Sequence, residues 1–338
     1  MPLCKYKYSC IIDTPYALFE YLLMCKDGDW NRTVFFVGDG IADEYLAHLS
    51  KIVYFPTYES EYHTKKQKIR MKLRALVYRI LYIDHTKLFA QDHLEASAQL
   101  IGRNKYTQIE DSPGFYSYPQ PEVSPIPTRL RRKLRRLIFW GPIHGQTFGR
   151  NKYCVDRWVT EETDLQSPLL QGKHYTLFNL KQLWDSASLE KKQYIYNVFG
   201  IKESLIQTIR QYKTILFTQP FEEEGLTIED IAPIYKPVIE RYMVDGIVIK
   251  PHPRDHMEWS MIFPDVPIIH TSVPMQILNI LGLEFKRAIT CFSSAISAMS
   301  NDTEIIWLGI PNPSKLMDVY GKEMQCPFVK KFKNIIHA

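Results

Sequence analysis

Cysteine is scarce and poorly spaced for staples or metal. The 338 residues hold six, Cys4, Cys10, Cys25, Cys154, Cys291 and Cys326, and no two form a CxxC pair. That spacing suggests neither a zinc site nor a disulfide framework, and it fits a reducing cytoplasm. No run reaches the ~18 apolar residues of a membrane span. The apolar stretch after Ser9 is broken by Asp13 and Pro15, so no secretory signal is expected. The HExxH, GxSxG and Walker patterns are missing. Gly38-Asp39-Gly40 lacks the third glycine of a dinucleotide loop and reads as a turn. No metal site and no cofactor are expected.

What is present is an ordinary globular composition, 45% apolar and 23% charged. The length suits two domains, since single cores rarely grow beyond ~250–300 residues. The net charge of +5 is modest but unevenly spread. Basic residues gather at 65–79 and 129–136, both in amphipathic, helix-like patterns. Leucines at i, i+4 and i+7 flanked by cations are the pattern of an interfacial helix. The competing reading packs each stripe on the protein's own core.

Strands are predicted over 9–13, 33–37 and 52–55, separated by helices over 15–25 and 42–49. Such β-α alternation argues a parallel sheet wound with helices. A helix is predicted over 89–101, a short strand over 106–109, an extended proline-rich loop over 117–128 and an interdomain region over 150–175. The alternation then restarts. Helices are predicted over 191–199, 202–211, 227–243 and 275–281, and strands over 214–218, 246–249, 266–270 and 287–291. The last predicted strand is 305–308.

The most informative stretch is Ile247-Val248-Ile249-Lys250-Pro251-His252-Pro253-Arg254-Asp255. A buried strand ends in a Lys, a His and an Arg, and two prolines hold the segment extended. Lys250, His252 and Arg254 then leave at alternate positions and can share one face. Cations at the carboxyl end of a parallel strand suit a phosphate, and a His can pass a proton near neutral pH; a solvated basic turn is the alternative. Thr290-Cys291-Phe292-Ser293-Ser294 follows the next strand but one and opens a predicted helix, where small hydroxyls and free N–H groups can bind an anion. Ordinary serine capping is the alternative. Thr218-Gln219-Pro220 leaves a strand of the same half and can line a nucleotide pocket. In the first half, Glu110-Asp111 ends a short strand. Adjacent carboxylates on an extended chain point to opposite sides, so one of them can act as a general base. The alternative is an acidic turn, for which Asp-Ser-Pro-Gly is good chemistry.

Together, the acidic pair, the Lys-Pro-His-Pro and the Ser-Ser resemble bacterial sialyltransferases, most nearly glycosyltransferase family 52, the lipooligosaccharide sialyltransferase group. Cys10-Ile-Ile-Asp-Thr-Pro-Tyr16 and Phe217-Thr-Gln-Pro220 also resemble that family, and the likeness runs over 8–312. In such families glycine directly follows the acidic pair; here Ser112-Pro113 stand before Gly114.

The resemblance implies a GT-B-like α/β enzyme: two Rossmann-like domains with parallel sheets facing a central cleft, an acceptor-side domain over 1–155 and a donor domain over 156–338. It implies inverting transfer of sialic acid from CMP-sialic acid to a galactose-type acceptor on lipooligosaccharide or capsular glycan. His252 would protonate the departing phosphate. Lys250, Pro253, Arg254, Gln219, Ser293 and Ser294 would hold the donor. Glu110 or Asp111 would deprotonate the acceptor. Catalysis without metal is expected from the absence of metal-ligand spacing, and a cytoplasmic location at the inner face of the plasma membrane, suited to a lipid-linked acceptor, from the cysteines and the two basic segments; the resemblance adds a homodimer. A glucosyltransferase of the same family and a CDP-glycerol glycerophosphotransferase are the enzymatic alternatives. A basic nucleic-acid-binding protein is the non-enzymatic one, and nucleic acid is not the expected partner.

Overall fold

The computed structural model describes residues 5–55, 65–94, 97–117, 146–252, 255–269, 273–309 and 332–337. The chain divides into two compact units, Met1–Phe199 and Gly200–Ala338.

The first unit runs β1 (Tyr8–Ile12), α1 (Pro15–Met24), β2 (Thr33–Val37), α2 (Asp43–Leu46), β3 (Lys51–Tyr54), α3 (Lys65–Leu81), β4 (Lys87–Ala90), α4 (Ser97–Ile101), β5 (Tyr106–Gln108), β6 (Cys154–Val159), β7 (Thr176–Leu177), α5 (Leu180–Ser186) and α6 (Leu189–Val198). Its seven strands are ordered β3-β2-β1-β4-β5-β6-β7, all parallel. The continuous apolar runs of β1 and β2 follow from burial on both faces of such a sheet. α1 starts where Thr14 accepts the Ala17 N–H at 3.2 Å, with Pro15 at its first position. It is buried from Tyr16 to Leu23, under α5 and α6.

Three expectations change here. Residues 87–90 form a central strand rather than the start of a helix over 89–101; so short an apolar run does not distinguish the two. The expected interdomain region over 150–175 instead holds β6, which pairs with β5. The unit boundary accordingly falls at Phe199/Gly200, downstream of 155/156, because β6, β7, α5 and α6 all complete the first unit.

The second unit contains α7 (Glu203–Ile209), β8 (Thr214–Phe217), α8 (Ile228–Tyr242), β9 (Ile247–Lys250), α9 (Trp259–Ile262), α10 (Met275–Ile280), β10 (Arg287–Thr290), β11 (Glu304–Trp307) and β12 (Ile335–His337). Its sheet is also parallel, ordered β12-β11-β10-β8-β9. α8 opens with a capping box between Thr227 and Asp230, and its Ile231, Tyr235, Ile239 and Tyr242 face the core. The strand predicted over 266–270 is a single bridge, Ile249 to Ile268. Pro267 has no N–H to extend the ladder. β12 lies beyond the expected last strand.

Each order contains one reversal. In the first sheet it lies between β1 and β4, and in the second between β8 and β10. Open α/β sheets bind ligands outside the carboxyl ends of the strands at such reversals. At the first, Gly40 lies so close to the end of β1 that a Cβ on it would stand 2.0 Å from the Asp13 carbonyl oxygen, and its N–H donates to Asp13 Oδ1 at 3.0 Å. The Gly38-Asp-Gly turn is therefore a close backbone approach.

Candidate functional site

In the second unit the exits of β8, β9 and β10 share the carboxyl edge of one parallel sheet. Lys250 ends β9 opposite Phe217 and is buried, which pushes its ammonium down to about 8. His252 follows on a held loop. Its N–H donates to Thr218 Oγ1 at 3.2 Å, and its carbonyl accepts from the Asp255 N–H at 2.9 Å. Thr218 Oγ1 in turn donates to Asp255, whose carboxylate also accepts from Trp259 Nε1 at 2.8 Å and the Met257 N–H at 3.0 Å. Burial pushes the Asp255 carboxyl up, opposed by these three hydrogen bonds. Asp255 thus ties the β9 exit to the β8 exit. Sequence reasoning quoted it and gave it no role; the signal was its place at the end of the cationic run.

Gln219 is buried at the β8 exit, and its Nε2 donor finds no acceptor among the described residues. Leaving such a donor dry costs roughly 1–3 kcal/mol. A ligand oxygen would remove that cost. Ser293, at the β10 exit, caps a 3-10 turn over Ser294–Ala298, its Oγ accepting the Ala295 N–H at 3.2 Å. This corrects the expected helix: five residues of 3-10 turn give little helix-end field. The capping alternative holds for the Ser293 oxygen, which leaves its hydroxyl proton to donate. Pro253 and Arg254 lie outside the described residues, as does the Ser294 side chain.

Sequence reasoning also passed over Glu222-Glu223-Glu224-Gly225. It forms a 3-10 turn after β8, closed by Gly225 at φ 76°. Glu222 Oε1 accepts the His256 N–H at 2.6 Å, joining this turn to the loop that follows His252. The overlooked signal was an acidic pair, Glu223-Glu224, followed directly by glycine.

In the first unit Glu110 and Asp111 diverge, as an extended chain requires. Glu110 turns inward and is fully buried. Its carboxylate accepts the Thr160 hydroxyl at 2.5 Å and the Thr160 N–H at 3.3 Å, while its own N–H donates to Glu20 Oε2 at 3.1 Å. Glu20 is equally buried, and its Oε1 has no partner among the described residues. Burial raises both carboxyls well above the ordinary range, and the Glu110 charge pushes Glu20 further. Asp111 points outward, its side chain 37% exposed. Its Oδ1 accepts Gln91 Nε2 at 2.8 Å and lies 3.6 Å from His93 Nε2. Gln91, buried at the end of β4, also accepts the Asp13 N–H at 2.5 Å after β1. Asp111 therefore stands at the reversal of the first sheet, with His93 stacked on Phe148 beside it. Nothing in the sequence singled out Gln91 or His93. Among the described residues no three His, Cys, Asp or Glu side chains cluster to hold a metal ion.

A buried carboxyl with a raised folded-state pKa holds a proton that the unfolded chain releases near pH 4.5. Stability is then lost as pH rises from there through the raised value. Glu20→Gln is expected to flatten that fall and to melt above wild type at pH 8, measured by thermal denaturation from pH 5 to 9. Parallel curves for the two proteins would show that the pair holds no such proton.

Comparison with known proteins gives the chain its relatives. The family model for glycosyltransferase family 52 matches residues 132–306. A Haemophilus influenzae protein described only as uncharacterized is 27% identical over 338 residues, covering 97% of this chain and 99% of that one. The crystal structure of the GT-B domain of a Photobacterium damselae sialyltransferase superposes with a TM-score of 0.60 at 14% identity, over 98% of this chain and 100% of that one. That of an alpha/beta-galactoside alpha-2,3-sialyltransferase from Photobacterium phosphoreum does so with a TM-score of 0.50 at 13% identity, over 92% and 94%. At such identities the structural likeness is one of fold. The two parallel-sheet units are those of a GT-B protein, and the family match covers more than half of the chain: it belongs to glycosyltransferase family 52 and is a glycosyltransferase, an enzyme that moves a sugar from an activated nucleotide donor to a glycan acceptor.

Proposed function

We propose that this enzyme transfers sialic acid from CMP-sialic acid to a hydroxyl of a galactose-type, lipid-linked acceptor on lipooligosaccharide or capsular glycan, inverting the anomeric centre. The observation that carries the reading is the buried Lys250 at the carboxyl end of β9, two residues before His252 and one strand from the reversal of its sheet. Family membership and the fold shared with two sialyltransferases support the choice of donor.

The chemistry follows from the residues. The bond between the sialyl anomeric carbon and the phosphate oxygen breaks, and its electron pair goes to that oxygen. Lys250, with the Gln219 amide and the Ser293 hydroxyl, holds the phosphate as its charge grows, and Arg254 adds to this donor set. His252 gives its proton to the leaving oxygen. The acceptor oxygen attacks the opposite face and loses its proton to a carboxylate. Preorganised donors aimed at developing charge supply the largest part of such catalysis. These side chains do a metal's work here, so activity is proposed to persist in a chelator.

Of the expected pair, Asp111 is the better base, because Glu110 is sealed in the interior. A second reading rests on a specific observation. Glu223-Glu224-Gly225 matches the family's acidic pattern directly, and its turn is hydrogen-bonded to the loop after His252. A homodimer is proposed from the resemblance alone. A glucosyl donor and CDP-glycerol are the rival donors.

CMP is expected to raise the melting temperature and UDP to leave it unchanged. At a hundred times its dissociation constant a ligand adds ~2.7 kcal/mol. A clear shift with UDP alongside none with CMP would sink the sialyl-donor reading.

His252→Ala is expected to lose roughly 10²–10⁴-fold in kcat while CMP binding weakens only moderately, since a general acid acts in the transition state. Asp111→Asn, Glu223→Gln and Glu224→Gln, assayed in parallel, assign the base: one of them should abolish transfer and spare CMP binding. Full turnover in a folded His252→Ala enzyme would reduce the histidine to a structural role.

A further inference from the structure

α3 presents to solvent the side that a surface helix normally makes polar. Its 17 residues contain seven Lys or Arg and no acidic residue. One face serves the core of the first unit: Ala75 is fully buried, with Met71 and Tyr78 packed against the same cluster. At 3.6 residues per turn, Ile69, Leu73, Leu76, Val77, Ile80 and Leu81 point the other way. Every one is apolar and exposed, from 41% at Leu76 to 59% at Leu73. The competing reading, which packs this stripe on the protein's own core, is not met: the core takes the opposite face.

Cations frame the stripe. Arg70 and Arg74 run along one flank, Lys72 and Arg79 along the other, and Lys66 stands at its N-terminal end. The Arg74 guanidinium is held over the Phe55 and Tyr78 rings, 5.8 and 5.3 Å from their centroids, and donates to the Tyr54 carbonyl at 3.0 Å. Tyr54, itself 46% exposed, extends the apolar surface.

The two features together select one occupant. A nucleic acid would use the cations and leave six apolar side chains in water. A second copy docked on the same face would bring the same flanking cations against these. An anionic lipid surface satisfies both, with headgroups for the cations and acyl chains for the stripe. No described helix is long and apolar enough to cross a membrane, so the contact is parallel to the surface. We infer that α3 is an interfacial helix, inserting its Ile69–Leu81 stripe between headgroups while the cations that frame the stripe, Lys66 and Arg70 among them, bind anionic lipid. The inference is independent of the donor sugar. The second basic segment, 129–136, lies outside the described residues and carries none of it.

The test is cosedimentation of the full chain with vesicles of phosphatidylcholine containing about one third phosphatidylglycerol. Wild type should pellet at low salt, and binding should weaken about tenfold or more without phosphatidylglycerol or at high salt. Leu73→Ser/Val77→Ser/Ile80→Ser should release the protein with its melting temperature kept, since all three side chains are exposed. Lys66→Gln/Arg70→Gln should weaken binding and flatten its salt dependence. If the triple variant melts early, Leu73→Trp replaces it, and its emission should shift to the blue with vesicles. Wild type left in the supernatant at low salt overturns the inference. So does binding that survives the triple serine change, or an unshifted Trp emission, because either removes insertion. Wild-type dimers dispersed by the triple variant, without vesicle binding, would assign the face to a second copy. Salt-sensitive capture of a DNA duplex without vesicle binding would assign it to nucleic acid.

Discussion

The second unit is organised around one buried ammonium. Lys250 loses most of its hydration at the end of β9, and the fall of its pKa from 10.5 to about 8 corresponds to roughly 3 kcal/mol. The proposed donor phosphate would offset part of that cost. The parallel sheet puts Lys250 at the carboxyl edge, one strand from the reversal between β8 and β10, and open α/β sheets bind ligands outside such edges. The Thr218–Asp255 contact then fixes the loop that follows, so His252 is placed by two strand exits rather than by one flexible turn.

Much of this edge was legible in the sequence, because its signals are local. An apolar β-branched run followed by Lys-Pro-His-Pro reads as a buried strand ending in a stiff cationic exit. The alternation of strands and helices likewise named the fold class. Less legible was whatever depends on strand order. Residues 87–90 are too short a run to declare themselves a central strand, and β6 reaches the first sheet across a long sequence interval, so the unit boundary was read too early. Asp255 and Gln219 acquire their meaning only when β8 and β9 lie side by side. The Glu223-Glu224-Gly225 pattern stands in the sequence, and its link to the loop after His252 exists only through the Glu222–His256 hydrogen bond of the folded unit.

The acidic pair of the first unit shows how alternation separates two neighbouring carboxylates. Glu110 joins Glu20 in the interior, where both are pushed toward the protonated form. Asp111 faces outward, steadied by Gln91. The same unit carries α3, whose exposed apolar stripe no core contact explains. A lipid-linked acceptor and a surface-bound enzyme would meet in two dimensions rather than three.

The central claim is that the donor phosphate sits against Lys250. Calorimetric titration of CMP from pH 7 to 9.5, in buffers of different ionisation enthalpy, tests it most directly. The charged ammonium binds the phosphate, so affinity should fall as pH rises through about 8, approaching tenfold per pH unit. Binding above that pH should take up a proton. A dissociation constant that stays flat across this range, with no proton uptake, would contradict the account.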